Sequence, residues 1–193
     1  MKPKKSRAAN QYTPQGHDLC QTPAYALDPL LPYIAKDKTI WEPAAGEGLL
    51  AGAIESAGHS VVTSELQRGQ NFFQYQPPQW DVLVTNPPYT IKFKWMARCY
   101  ELGKPFALLI PGDAILAASA QILMQRYGYE IMLLDKRVDF KMPEKGWEGS
   151  GAQFSVIWFC WKLLPEQVMF GKLVNKPRKG RVKVHPDQPM LWA

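Results

Sequence analysis

The chain has 193 residues, 46% of them hydrophobic and 21% charged. That is enough apolar material for one folded core and too little charge for a disordered chain. A net charge of +6 favours a polyanion such as DNA or RNA, or an anionic membrane surface, while no apolar run approaches the roughly 18 residues that span a bilayer.

The polar, basic residues 1–18 read as an arm. No apolar region follows MKPKKSRAAN, so it does not read as a secretory signal. Residues 24–35 have helical apolar spacing, with Pro29 and Pro32 as potential breaks. Thr39 to Trp41 predicts a strand, residues 47–57 a helix stopped by Gly58, and His59 to Ser64 a second strand. Asp81 to Thr85 predicts a buried strand, residues 91–102 a helix ended by Gly103, Pro105 to Ile110 a strand, and residues 112–127 a helix. Tyr129 to Leu134 and Phe154 to Trp161 read as strands around a Gly-, Lys- and Glu-rich loop. The division is an arm at 1–18, a core at 19–164 and a basic tail at 165–193. Alternating strands and helices imply a parallel sheet covered on both faces, with ligands at the carboxyl ends of the strands. The cysteines Cys20, Cys99 and Cys160 lie far apart with no paired histidines. They predict neither a disulfide framework nor a metal site, and suit a reducing cytoplasm.

Two of the strand exits carry chemistry. Glu42-Pro43-Ala44-Ala45-Gly46-Glu47-Gly48 joins the first strand to a helix. Its small residues let a ligand approach the backbone. Its acids, Glu42 and Glu47, disfavour a pyrophosphate and tolerate a cation, and the glycine spacing is neither a dinucleotide fingerprint nor a P-loop. Glu65, at the end of the second strand, is placed to accept from both hydroxyls of a ribose. Asn71 and Phe72 beyond it offer an amide and an aromatic ring to an adenine.

The second exit is Asn86-Pro87-Pro88-Tyr89. The prolines stiffen the loop and remove two N–H donors, so it presents acceptors. The Asn86 amide and the Pro87 carbonyl suit the two hydrogens of a planar ligand's NH₂ group, and Tyr89 suits its ring face. Two acceptors aimed at such an amine free its lone pair and stabilise positive charge developing on nitrogen.

EPAAGEG, Glu65 and NPPY, in that order, resemble the S-adenosylmethionine-dependent amino-methyltransferases, the DNA adenine-N6 class above all. Thr22-Pro23 resembles that family's additional cofactor motif, which contacts the methionine carboxylate, and its place ahead of the glycine turn resembles the gamma order. The likeness spans roughly residues 20 to 162. Two departures stand out: Asn71 replaces a more usual acid, and no sizeable target-recognition domain follows the core. The small size suits a phage-type enzyme. The resemblance implies a seven-stranded Rossmann-like sheet ending in an antiparallel hairpin, with S-adenosylmethionine as cofactor and no metal. It also implies methyl transfer to the exocyclic N6 amine of adenine in a base flipped out of DNA. Phe140 or Trp147 near the hairpin loop is a candidate to stack on that base. Lys2, Lys4, Lys5, Arg7 and the segment Lys176 to Lys183 are candidates to hold phosphates. The alternatives are N6 methylation of adenine in RNA, methylation of a protein glutamine, and, in another class, a non-catalytic binder of nucleic acid or cofactor.

Overall fold

The structure, a computed structural model, describes residues 18, 20–141 and 154–174. Its centre is a seven-stranded sheet of order β2-β1-β3-β4-β6-β5-β7. The strands are β1 (Thr39–Glu42), β2 (Ser60–Thr63), β3 (Val82–Thr85), β4 (Phe106–Pro111), β5 (Glu130–Leu134), β6 (Val156–Trp161) and β7 (Val168–Gly171). Strands β2, β1, β3 and β4 are mutually parallel, and β6 runs antiparallel to both β4 and β5. This is the α/β sheet with an antiparallel hairpin that the sequence predicts.

Both faces of the sheet are covered, so its central strands are buried throughout rather than alternately. On β4, Ala107 and Leu109 join one core while Phe106, Leu108 and Ile110 join the other. The first core takes Leu50 and Ile54 of α1 (Leu49–Ser56) and the segment around Leu27 and Leu30. The second takes Trp95, Met96 and Tyr100 of α2 (Lys92–Leu102) and Ala120 of α3 (Ala118–Tyr127). Trp158 ties the layers: its indole N–H donates to the Ala26 carbonyl at 2.8 Å within the interior.

The structure departs from the sequence reading in three places. Residues 24–35 form only two 3-10 turns, Ala24–Ala26 and Leu31–Tyr33, because Pro29 and Pro32 deny a helix two backbone donors. The helix expected over 112–127 splits into a 3-10 turn, Gly112–Leu116, and α3, with Ala117 extended at φ −73°, ψ 140°. The seventh strand lies within the segment read as a tail: β7 pairs in parallel with β5, from Ile131 with Val168 to Leu134 with Gly171. It buries little beyond Gly171 and leaves Phe170 81% exposed, and its apolar run is only the three residues Val168 to Phe170. Gly171 is the informative residue there, since a Cβ would come within 2.9 Å of Met132 Sδ and of Pro29 Cβ.

No helix among the described residues is long and apolar enough to cross a membrane.

Candidate active site

The glycine turn runs from β1 into α1. Gly46 sits at φ 52° and Gly48 at φ 83°, a left-handed backbone that costs other residues about 1–2 kcal/mol. The turn is tied to the end of β2: Ser64 N–H donates to the Glu42 carbonyl at 3.0 Å and Ala45 N–H to the Ser64 carbonyl at 3.3 Å. Glu65 completes the tie. Its Oε2 accepts from Gly46 N–H and its Oε1 from Leu66 N–H, both at 2.8 Å. An ionised carboxylate offers about four acceptor directions, so Glu65 keeps capacity for hydroxyl donors.

Beneath the turn lies Glu42, 2% exposed, whose Oε2 is buried without a hydrogen-bond partner. Burial pushes its carboxyl well above the usual range and the neighbouring Glu65 charge adds to this, while a backbone hydrogen bond from Ala51 opposes it. A buried carboxyl in this state favours a cation that can donate to it.

NPPY follows β3. Asn86 Nδ2 donates to the Cys20 carbonyl at 3.2 Å, whereas Asn86 Oδ1 is buried with no partner. A carbonyl only accepts, so it selects the amide orientation that turns the NH₂ towards Cys20 and leaves Oδ1 as the open acceptor. Oδ1 has under 1 Å² of exposed surface, so a ligand reaches it only as the surrounding wall gives way. Tyr89 differs from expectation. It is 8% exposed, with Phe140 and Phe154 set edge-on at 6.4 and 5.7 Å between centroids. Its ring offers a stacking face only if these neighbours move. Its hydroxyl is buried without a partner, and burial raises its pKa.

A cavity of about 730 Å³ joins the two exits, within the range of roughly 300–1,000 Å³ usual for small-molecule sites. Thr22, Glu42, Ala44, Gly46, Glu65 and Asn71 line it, as do Phe72, Asn86 and Pro88, whereas Pro23, Gly48, Pro87 and Tyr89 do not. Phe72 is 3% exposed and stacks on Trp95 at 4.0 Å between centroids, so one ring face is taken. Asn71 Oδ1 accepts from Phe73 N–H at 3.0 Å, which leaves the amide's NH₂ as its offer to a ligand. That donor suits a ring nitrogen of adenine, where a carboxylate would suit the amine.

Phe140 is 4% exposed and packed inward, so it presents no ring to a base. Trp147 and the basic segments at Lys2 to Arg7 and Lys176 to Lys183 lie outside the described residues.

Sequence reasoning missed one wall altogether. Asp18, Cys20 and Gln21 line the cavity as a strap across it. Gln21 N–H donates to the Lys141 carbonyl at 2.7 Å and Lys141 N–H donates back at 3.0 Å, while Gln21 Oε1 accepts from Glu47 N–H at 3.1 Å. Phe73 and Trp95 also line it. The doublet Phe72-Phe73 was a signal for Phe73, whereas nothing local marks Asp18 or Gln21. Among the described residues no group of three or more His, Cys, Asp or Glu side chains is placed to hold a metal ion.

No family model and no curated protein matches the chain. Solved structures resemble the chain only distantly. One is described as a candidate RNA methyltransferase from Pyrococcus horikoshii, at 12% identity and TM-score 0.49 over 73% of this chain and 80% of that one. Two more are described in terms of type I restriction systems, the first as a modification subunit and the second as a methyltransferase subunit. That from Vibrio vulnificus has 11% identity and TM-score 0.49 over 95% of this chain and 51% of that one. That from Streptococcus thermophilus has 12% identity and TM-score 0.48 over 88% of this chain and 49% of that one. The chain thus spans about half the length of these two subunits, and the functional reading rests on the cavity's own residues.

Proposed function

We propose that the protein is an S-adenosylmethionine-dependent methyltransferase acting on the exocyclic N6 amine of adenine in DNA. The observation that carries this reading is the pair of orphaned acceptors on one cavity: Glu42 Oε2 under the glycine turn and Asn86 Oδ1 at the NPPY exit. The first fits an α-ammonium group, the second an amine N–H, and Glu65 between them fits the hydroxyls of a ribose. When bound, S-adenosylmethionine supplies an electrophilic methyl group on a sulfonium.

Glu42 and Glu65 orient the donor by binding its cationic and hydroxyl groups. Thr22, 3% exposed on the same wall, is the candidate for the methionine carboxylate. Asn71 offers its NH₂ and Phe72 a ring edge to the donor's adenine. Asn86 Oδ1 and the Pro87 carbonyl accept the two hydrogens of the target amine, which leaves its lone pair for the methyl carbon. As nitrogen becomes positive those two bonds strengthen, and the proton it carries is then released to water. No strongly basic side chain is needed. The target base has to leave its stack to reach Asn86, and the wall around Oδ1, Pro87 and Tyr89 has to open to admit it.

The test is transfer of tritiated methyl from labelled S-adenosylmethionine to parallel pools of duplex DNA, structured RNA and protein, followed by digestion to monomers. Label in the deoxynucleoside of N6-methyladenine supports the reading. Label only in RNA or protein replaces the substrate, and cofactor binding with no label in any pool points to a non-catalytic binder.

A further inference from the structure

The strap meets the chain at Asn86 and at Thr90, the residue after NPPY. Asp18 Oδ1 accepts from Thr90 N–H at 3.2 Å and Asp18 Oδ2 from the Thr90 hydroxyl at 2.6 Å. Two residues further along the strap, the Cys20 carbonyl accepts from Asn86 Nδ2 at 3.2 Å. Gln21 then leaves the segment for Lys141 and the glycine turn. The strap thus meets this segment with its register set at Thr90 and the Cys20 carbonyl engaged by Asn86.

That acceptor matters because a carboxamide has two orientations of similar intrinsic energy, related by a half-turn about its last torsion. Turned one way, Asn86 presents Oδ1 to a target amine. Turned the other way, it presents NH₂ to NH₂, which repels. Only a partner that accepts without donating removes the second orientation, and the Cys20 carbonyl is such a partner.

We propose that Asp18 is a positioning residue: by clasping Thr90 it holds the strap where the Cys20 carbonyl keeps Asn86 Oδ1 turned towards the target. The proposal rests on the assignment of Asn86 as the target-binding group. Asp18 does not touch the reacting atoms. Its carboxylate is partly exposed at the cavity edge, so its removal acts on Asn86 rather than on the core. Asparagine preserves both contacts, because its oxygen accepts from Thr90 N–H and its NH₂ donates to the Thr90 hydroxyl, which rotates to suit.

The experiment follows the Asn86 side-chain amide in ¹⁵N spectra of the full chain, identified by the signal lost in Asn86→Ala. Alongside it runs the single-turnover rate of methyl transfer to sheared duplex DNA. Asp18→Ala and Thr90→Val should both shift the Asn86 amide signals and slow transfer about 10- to 100-fold, the scale of a misplaced reacting group. The Kd for S-adenosylhomocysteine should stay within about twofold, the range of a site left intact, and Asp18→Asn should restore both signal and rate. Unchanged Asn86 signals in Asp18→Ala and Thr90→Val overturn the proposal whatever the rates do. So does a rate loss that Asp18→Asn leaves unrestored. If the signals shift as expected but the wild type transfers no methyl group to DNA, the proposed function fails while the orientation of Asn86 by the strap stands.

Discussion

Replacing Glu42 by glutamine separates folding from cofactor binding, because the two should move in opposite directions. Glu42 is 2% exposed and its Oε2 has no partner, so the ligand-free fold holds a carboxyl that burial drives towards its neutral form. Glutamine has the same shape, carries no charge and brings an NH₂ where Oε2 stands. It relieves the repulsion from Glu65 and removes the desolvation cost of ionisation, so unfolding in the absence of cofactor should be unchanged or slightly harder. Binding loses a charged hydrogen bond to the ammonium group, worth about 1.5–3 kcal/mol. The Kd for S-adenosylmethionine should therefore rise about 10- to 150-fold. Isothermal titration with a parallel thermal melt reads both. A Kd within twofold of wild type, or a melting temperature that falls while affinity holds, would refute the role given to Glu42.

The same residue sets a pH dependence. Its carboxyl pKa is raised in the folded state, so the ligand-free fold binds more protons than the unfolded chain, and Glu42's contribution to stability declines as pH rises from the ordinary carboxylate range through the raised value. Cofactor affinity should rise over that window as the carboxylate forms, and Glu42→Gln should flatten the dependence. Gly46→Ala places a methyl 2.6 Å from Gln21 Nε2 at φ 52°. Left-handed strain and the lost Gln21–Glu47 bond together cost about 2–3 kcal/mol, a fall in melting temperature of roughly 4–12 °C. Gly52→Ala, in α1 with open space around it, should instead stabilise by about 0.5–1 kcal/mol. Tyr89→Phe removes a buried hydroxyl with no partner. Stability should hold or rise by about 1 kcal/mol, and a chemical-denaturation loss larger than that would reveal a bond to that hydroxyl.

The fold was legible wherever local chemistry decides it. Gly58 and Gly103 lie in left-handed conformation just past the ends of α1 and α2, and the apolar runs at Val82–Thr85 and Phe106–Pro111 are the two innermost parallel strands. Strand β7 was not legible, because a run of three apolar residues, Val168 to Phe170, is too short to stand out from the basic segment that follows it. The cavity's two exits could be read because proline and glycine restrict the backbone locally. The strap could not, since Asp18 meets Thr90 and Cys20 meets Asn86 only after the chain has folded across the sheet. Tyr89 shows the other limit: sequence supplies an aromatic at the right place, but Phe140 and Phe154 decide which way its faces look.

The central claim is that Asn86 Oδ1 stabilises charge developing on a target amine. It is tested most directly by the single-turnover rate of N6-methyladenine formation in duplex DNA for wild type and Asn86→Ala at saturating cofactor. The account predicts a fall of about 10²–10³-fold, the cost of removing one preorganised group at a developing charge, with cofactor affinity unchanged. A variant that forms N6-methyladenine at near wild-type rate would contradict it.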